Sequence, residues 1–445
     1  MAPLQGIVRA LESKSVKENA DALTRMEESL ANDPKENIQI ANEWIGILQA
    51  LSSYASRETA ACQKKGWDNA PAATVKRLEK VGSVFRGALQ KWSKLFDSDA
   101  MQSIVRYLLG GMVDKGKGIL VPPLGLNYIK SLVCICNYDP HVEHLGDALW
   151  IDTVSCAFSI VLDQDLGYSL DKEKTDAMDS DPAPTDDEGY EYNRPVGSKR
   201  GRQDSTRPKG RPLRTLSAEK IEGMALLVLL LKSPQAPYLK NWIGQRILDR
   251  LFRFFDSYQS WSIAHTNALI CVNLVTAELE LNATRQSAKF ALQMWSHLLS
   301  YWSGKEKKDK FVKEELLIAI TTFLPLVTMV RTVEGNPEAV RDALDRLFVC
   351  LEEDVMNGSF ESLQLDSLHL HLRNPSYRRD VYEAITFRSG AKFDHSQALS
   401  WAILELQADC AVAVCSFFSD GYPWLKDTNI APRYIWKNSS ASYSQ

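Results

Sequence analysis

Residues 44–55 read WIGILQALSSYA, and their spacing decides the fold class. Trp44, Ile47, Leu48, Leu51, Tyr54 and Ala55 recur at three- and four-residue steps, which builds one continuous apolar face on an α-helix. The same period runs outward in both directions. Upstream, Val16, Leu23, Met26 and Leu30 supply a stripe that Ser15-Val16-Lys17-Glu18 opens as a capping box and Asp33-Pro34 ends. Downstream, Leu78, Val81, Val84, Phe85, Leu89 and Trp92 form the next face, followed by Ile104, Val105, Leu108 and Leu109. Asp139-Pro140, with Asp as cap and Pro at the first helical position, opens a helix. It and its successor run through Leu145, Trp150, Val154 and Ile160.

Between about residues 165 and 216 this pattern collapses. Acidic residues come first, from Asp171 to Glu191, and basic ones follow: Arg194, Lys199, Arg200, Arg202, Arg207, Lys209, Arg211 and Arg214. With Pro, Gly and Ser interspersed, such a stretch cannot bury enough apolar surface to offset its ordering entropy, so it reads as a disordered insert. Helical pattern resumes at Ser217, with segments near 217–232, 241–257, 259–281, 284–302, 309–330, 337–356 and 396–419. Leu363–Leu372 alternates apolar and polar residues and is the one place where the pattern allows a strand. Helix pairs of about 40 residues fit an all-α chain: an irregular HEAT-like α-solenoid of stacked helix pairs with one long disordered insert. The expected divisions are a helical domain at 1–165, the insert at 166–216, and HEAT-like repeats at 217–445.

A net charge of −4 over 445 residues gives no global pull toward nucleic acid or membrane, so any such affinity belongs to a local patch. The eight cysteines lie mostly in apolar stretches such as Leu132–Cys136, as free buried thiols in a reducing compartment do. The N-terminus lacks the apolar run of a signal peptide. Met224–Leu231 is the most apolar run and is too short for a bilayer, which needs roughly 20 residues. No membrane contact is expected.

Catalytic patterns are thin. Gly111-x4-Gly116-Lys117-Gly118 misses the phosphate-binding loop, because Gly118 stands where a Ser or Thr would reach magnesium and a helix precedes it. It reads as a flexible interhelical turn. His141-Val142-Glu143-His144 lacks a further zinc ligand and reads as polar residues of a first helical turn, while His369 and His371 are isolated. The chain has no G-x-S-x-G elbow and no H-R-D or D-F-G kinase element. No catalytic, metal or cofactor site is expected within it.

The insert's Arg207-Pro208-Lys209-Gly210-Arg211-Pro212 resembles an AT-hook core, with Lys209 in place of its usual first Arg. Together with Lys199, Arg200, Arg202 and Arg214 it also resembles a split nuclear-import signal. The insert is thus a candidate for nuclear import or for direct DNA contact.

Three blocks are similar to the N-terminal region of the ataxia-telangiectasia mutated kinase family, of the fungal telomere-length-maintenance type. The first, LESKSVKENADAL at Leu11–Leu23, resembles the family's N-terminal motif at Leu11, Glu18 and Leu23, with Ser15 and Asn19 in its basic positions. The second is Trp44, Tyr54, Glu58 and Thr59. The third runs from Leu124-Gly125-Leu126-Asn127-Tyr128 to Tyr138-Asp139-Pro140-His141-Val142-Glu143-His144-Leu145 and Trp150.

This resemblance implies a docking and scaffold segment of a serine/threonine kinase directed at Ser-Gln and Thr-Gln sites. The kinase domain, with its ATP and magnesium, is expected outside these residues. It implies as partner a double-strand-break sensor complex with a nibrin-type subunit, with telomeric chromatin reached indirectly, and a nuclear location. Leu11–Leu23 would then pack as the solenoid's capping element. The alternative is a stand-alone nuclear scaffold that contacts DNA through the basic insert. Ser396-Gln397 and Ser444-Gln445 carry the family's target dipeptide at a frequency close to chance.

Overall fold

The computed structural model describes residues 2–303 apart from 14, 115–117, 165, 167–215, 234–241, 259–261 and 280–284, with scattered helical positions from 312 to 347. The expectations for the insert and for Leu363–Leu372 and 396–419 fall outside the described residues. The chain divides into two units: Met1–Leu230 with Ser257–Gln259, and Leu231–Asp256 with Ser260–Gln445.

In the first unit α1 (Ala2–Glu12), α2 (Val16–Asn32), α3 (Ile38–Lys65), α4 (Ala72–Trp92), α5 (Ser98–Met112) and α6 (Gly125–Cys136) follow one another. After them come α7 (Asp139–Glu143), α8 (Asp147–Leu162) and α9 (Ala218–Leu231), the last residue of which belongs to the second unit. The packing alternates. Helices pair as α1 with α2, α3 with α4 and α5 with α6, while α1, α3 and α5 stack in one layer and α2, α4 and α6 in the other. That is the two-layer stacking of a solenoid, in which each pair completes its core only against its neighbours.

The apolar periodicity explains the layers. All six of the residues singled out on α3, and all six on α4, are buried. Trp44 and Trp92 stack across the pair with ring centroids 5.1 Å apart. Their indole N–H groups do not go unsatisfied: Trp44 donates to Asp33 Oδ2 (3.3 Å) and Trp92 to the Pro34 carbonyl (3.0 Å). The α2–α3 turn is therefore held by the two tryptophans it covers. At the α4–α6 crossing Gly82 lets the helices meet, since a Cβ there would come within 2.9 Å of Asn127 Cβ.

Four details depart from the sequence reading. Val16 is 57% exposed, since the α2 stripe begins a turn later with Asn19, Ala22, Leu23 and Met26. Ser15 caps α2 by accepting from the Glu18 N–H (3.4 Å), but its own N–H bonds Ser13 Oγ (3.1 Å) in place of the Glu18 side chain. Asp139 is the first residue of α7, whose cap is Tyr138; α7 ends after five residues at its C-cap His144, and Gly146, at φ 72°, then turns the chain into α8.

The fourth departure is a strand. Val113–Asp114 (β1) and Ile119–Leu120 (β2) pair antiparallel, so the stretch read as a flexible turn is a short β-hairpin. Two-residue strands carry too little alternation to be seen in a sequence.

The second unit contains α10 (Trp242–Ser257), whose last residue belongs to the first, then α11 (Ile263–Glu278) and α12 (Arg285–Ser303). Ser262 and His265 form a capping box at α11. Phe254 lies 4.9 Å from the His265 ring and Phe255 5.0 Å from that of Tyr301, whose hydroxyl donates to the Phe252 carbonyl. Among the described residues no helix is long and apolar enough to cross a membrane.

Candidate docking module at the N-terminal motif

The motif Leu11–Leu23 spans the end of α1, the turn at Ser13–Ser15 and the first half of α2. Leu11 is 1% exposed and Leu23 is fully buried, so both are core residues of the first helical hairpin. Glu18 is exposed on the first turn of α2, where a carboxylate suits the positive end of the helix dipole. Asn19, in the motif's second basic position, is buried with no hydrogen-bond partner for its Oδ1.

Two arginines that the sequence reading missed hold this region together, one tying the first hairpin to α3 and the other joining α3 to α4. Arg57, on α3, donates from Nη2 to the Leu11 carbonyl at 2.8 Å. The last carbonyls of a helix have no partner within it, and a cation there meets the negative end of the dipole. Arg57 also lies 5.4 Å from the centre of the Tyr54 ring. Arg77, on α4, donates Nε to the Tyr54 hydroxyl (3.0 Å) and Nη2 to Glu58 Oε2 (3.2 Å) and Thr74 Oγ1 (3.0 Å).

Burial raises the Tyr54 phenol above its ordinary value, against the opposing hydrogen bond from Arg77. Burial acts to lower Arg77, yet Tyr54 and Glu58 outweigh it and the guanidinium ends up raised. Both shifts keep the network in one protonation state, a neutral phenol bonded to a cation. Tyr54 and Glu58, half of the second block, thus bind α4 to α3. Thr59 points inward, 7% exposed, with its hydroxyl unpartnered. Lys80 on α4 completes the belt through Glu27 (2.7 Å) and Thr24 Oγ1 (3.0 Å) of α2.

The third block is also structural. Leu124 and Tyr128 are buried on α6, and burial raises the Tyr128 phenol. His141 is buried, with Nε2 2.7 Å from the Ser93 carbonyl and its ring edge-on to Tyr138 at 4.7 Å. Burial lowers its basicity, the Ser93 hydrogen bond opposes this, and the nearby His144 adds to it. His144 is exposed and turns Nδ1 to the Pro140 carbonyl. The two imidazoles are therefore committed to different carbonyls rather than to a shared centre. Among the described residues no group of three His, Cys, Asp or Glu could hold a metal ion.

In the loop that nearly matches a phosphate-binding motif, Asp114 is buried on β1 and accepts from Trp67 Nε1 (3.0 Å), and Gly118 takes φ 61°. Lys117 lies outside the described residues, as do the basic cluster Lys199, Arg200, Arg202, Arg207, Lys209, Arg211 and Arg214, the two serines before Gln, His369 and His371. Cys62, Cys136, Cys156 and Cys271 are free and buried, and Cys134 is free and partly exposed.

Comparison with known proteins gives this helical frame its context. A family described as telomere-length maintenance and DNA damage repair matches residues 4–151, and one described as the Tel1 spiral domain matches residues 158–414. Serine/threonine-protein kinase TEL1 of Cryptococcus neoformans is 25% identical over 386 residues, 83% of this chain and 12% of that protein. Serine/threonine-protein kinase tel1 of Aspergillus oryzae is 25% identical over 369 residues, 81% of this chain and 12% of that protein. The chain thus spans about an eighth of the length of these relatives. A solved structure, Kap121p, aligns over 96% of this chain and 47% of its own at 12% identity, with a TM-score of 0.30, too low to bear on the fold.

Proposed function

Because the chain belongs to the Tel1 spiral domain family, related to the N-terminal region of Tel1-type kinases in telomere maintenance and DNA damage repair, we propose that it is their docking segment. It recruits the kinase to double-strand breaks and telomeres by binding a partner. The observation that carries this reading is the tiling of the chain by the two families at 4–151 and 158–414, over a first unit built as stacked helix pairs. Such stacks present long surfaces to extended or helical peptides. The partner is a break-sensor complex with a nibrin-type subunit, the location is the nucleus, and telomeric chromatin is reached through partners. ATP, magnesium and phosphoryl transfer belong to the kinase portion outside these residues.

Competition tests this. Expressed alone in cells that contain the full kinase, the chain should displace it from breaks and lower damage-induced phosphorylation of Ser-Gln sites. A folded, nuclear chain that leaves both unchanged contradicts the docking role. The AT-hook-like Arg207–Pro212 favours a second reading, DNA contact through the insert. That reading requires a duplex affinity that falls steeply with salt and vanishes on deleting Arg194–Arg214.

A further inference from the structure

The residues on either side of 167–215 meet at one buried cation. Lys220, in the first turn of α9, is 7% exposed, and its Nζ contacts Asp163 Oδ2 and the Tyr258 hydroxyl. Tyr258 belongs to the first unit, and its hydroxyl also lies 3.3 Å from the Val161 carbonyl, at the C-terminal end of α8. An ammonium withdrawn from water is tolerated only beside compensating charge and acceptors, and here a carboxylate, a phenol and a helix C-terminus provide them. Asp163 has φ 54°, the one positive φ outside glycine among the described residues. It closes α8 as a left-handed cap, a conformation that Asp adopts more readily than most L-residues, and from there its carboxylate reaches Lys220.

Other contacts cross the same divide. Trp150 Nε1 donates to the Leu230 carbonyl (3.2 Å), Lys130 faces Glu222 (3.7 Å), and a Cβ on Gly223 would lie 3.2 Å from Val161.

We infer that Asp163, Lys220 and Tyr258 form a latch joining the two chain segments that flank residues 167–215. Helix α9 is thereby part of the N-terminal unit, although it follows the insert and lies in the second family's span. The core therefore stays whole when the chain is cut within the insert.

The test places a site-specific protease sequence between Gly197 and Ser198 of the full chain. After cutting, the two fragments should co-elute on size exclusion as one species. In the cut protein, Lys220→Met or Asp163→Asn should weaken their association about tenfold or more, a figure kept low because the Asp163 side chain is 45% exposed. Asn tolerates the left-handed conformation, so Asp163→Asn removes charge alone. The double variant should be little worse than the worse single one. Fragments that separate without denaturant overturn the inference. So do fragments that stay together equally well in all variants, or single effects that simply add. Circular dichroism of the uncut variants shows that each is folded before cutting.

Discussion

Replacing Leu23 by Ala tests whether the N-terminal motif acts through its fold or through its surface. Leu23 is fully buried between α2 and its neighbours, so truncation removes its contacts and leaves a cavity that the packed pairs cannot fully close. Leu→Ala changes at such sites cost about 2–5 kcal/mol, and about 3 kcal/mol is the expectation for a site in a terminal hairpin. For a unit of roughly 230 residues, that lowers the melting temperature by about 6–12 °C. Glu18→Ala, at an exposed position of the same motif, should stay within about 0.5 kcal/mol. The assay is paired: urea unfolding of each variant, and binding to the proposed nibrin-type partner at a temperature where both are folded. The expected result is a large stability loss for Leu23→Ala, with near-normal binding by whatever fraction stays folded. The reasoning fails if Leu23→Ala melts like the parent protein, or if Glu18→Ala is the more destabilising change.

Three further outcomes follow from the geometry. Gly82→Ala forces a Cβ to within 2.9 Å of Asn127, so the α4–α6 crossing must open, at a cost of about 1–3 kcal/mol in urea unfolding. Protonating His141 costs stability: its folded pKa lies below the ordinary 6.5, so the unfolded chain takes up the proton first and stability falls as pH drops through about 6.5. That loss levels off below the folded pKa, and His141→Asn should flatten this part of the melting profile relative to the parent. Burial pushes the Cys136 and Cys156 thiols up to about 12, so native-state alkylation at neutral pH should mark Cys134 well before either, as peptide mapping would show.

Much of the fold was legible because helical burial has a period that single residues report. Every residue named from 44–55 and from 78–92 is in the core, and the paired stacking follows from short turns between such faces. What escaped notice was polar and long-range. Arg77 reaches Tyr54 and Glu58 across 23 and 19 positions, and Lys220 reaches Asp163 across 57. Nothing in the local pattern distinguishes these cations from the solvated lysines and arginines around them. A weak signal existed for Arg57, three positions after Tyr54 on the same helix, but its acceptor, the Leu11 carbonyl, is a backbone atom that no sequence pattern marks. The hairpin at Val113–Leu120 was missed because two residues cannot show an alternation, and Val16 was misassigned because a helical stripe extrapolates past the turn where burial stops. The motif residues Leu11 and Leu23 illustrate the converse: their match to the family motif reads as function, and the structure shows them as packing.

The most direct test of the docking role is a binding titration of the full chain, with and without residues 194–214, against the nibrin-type subunit and against duplex DNA over a range of salt. A partner affinity that survives the deletion and changes little with salt is the predicted result. Affinity for DNA alone, steep in salt and lost with those residues, would contradict it and leave the chain as a DNA-binding scaffold.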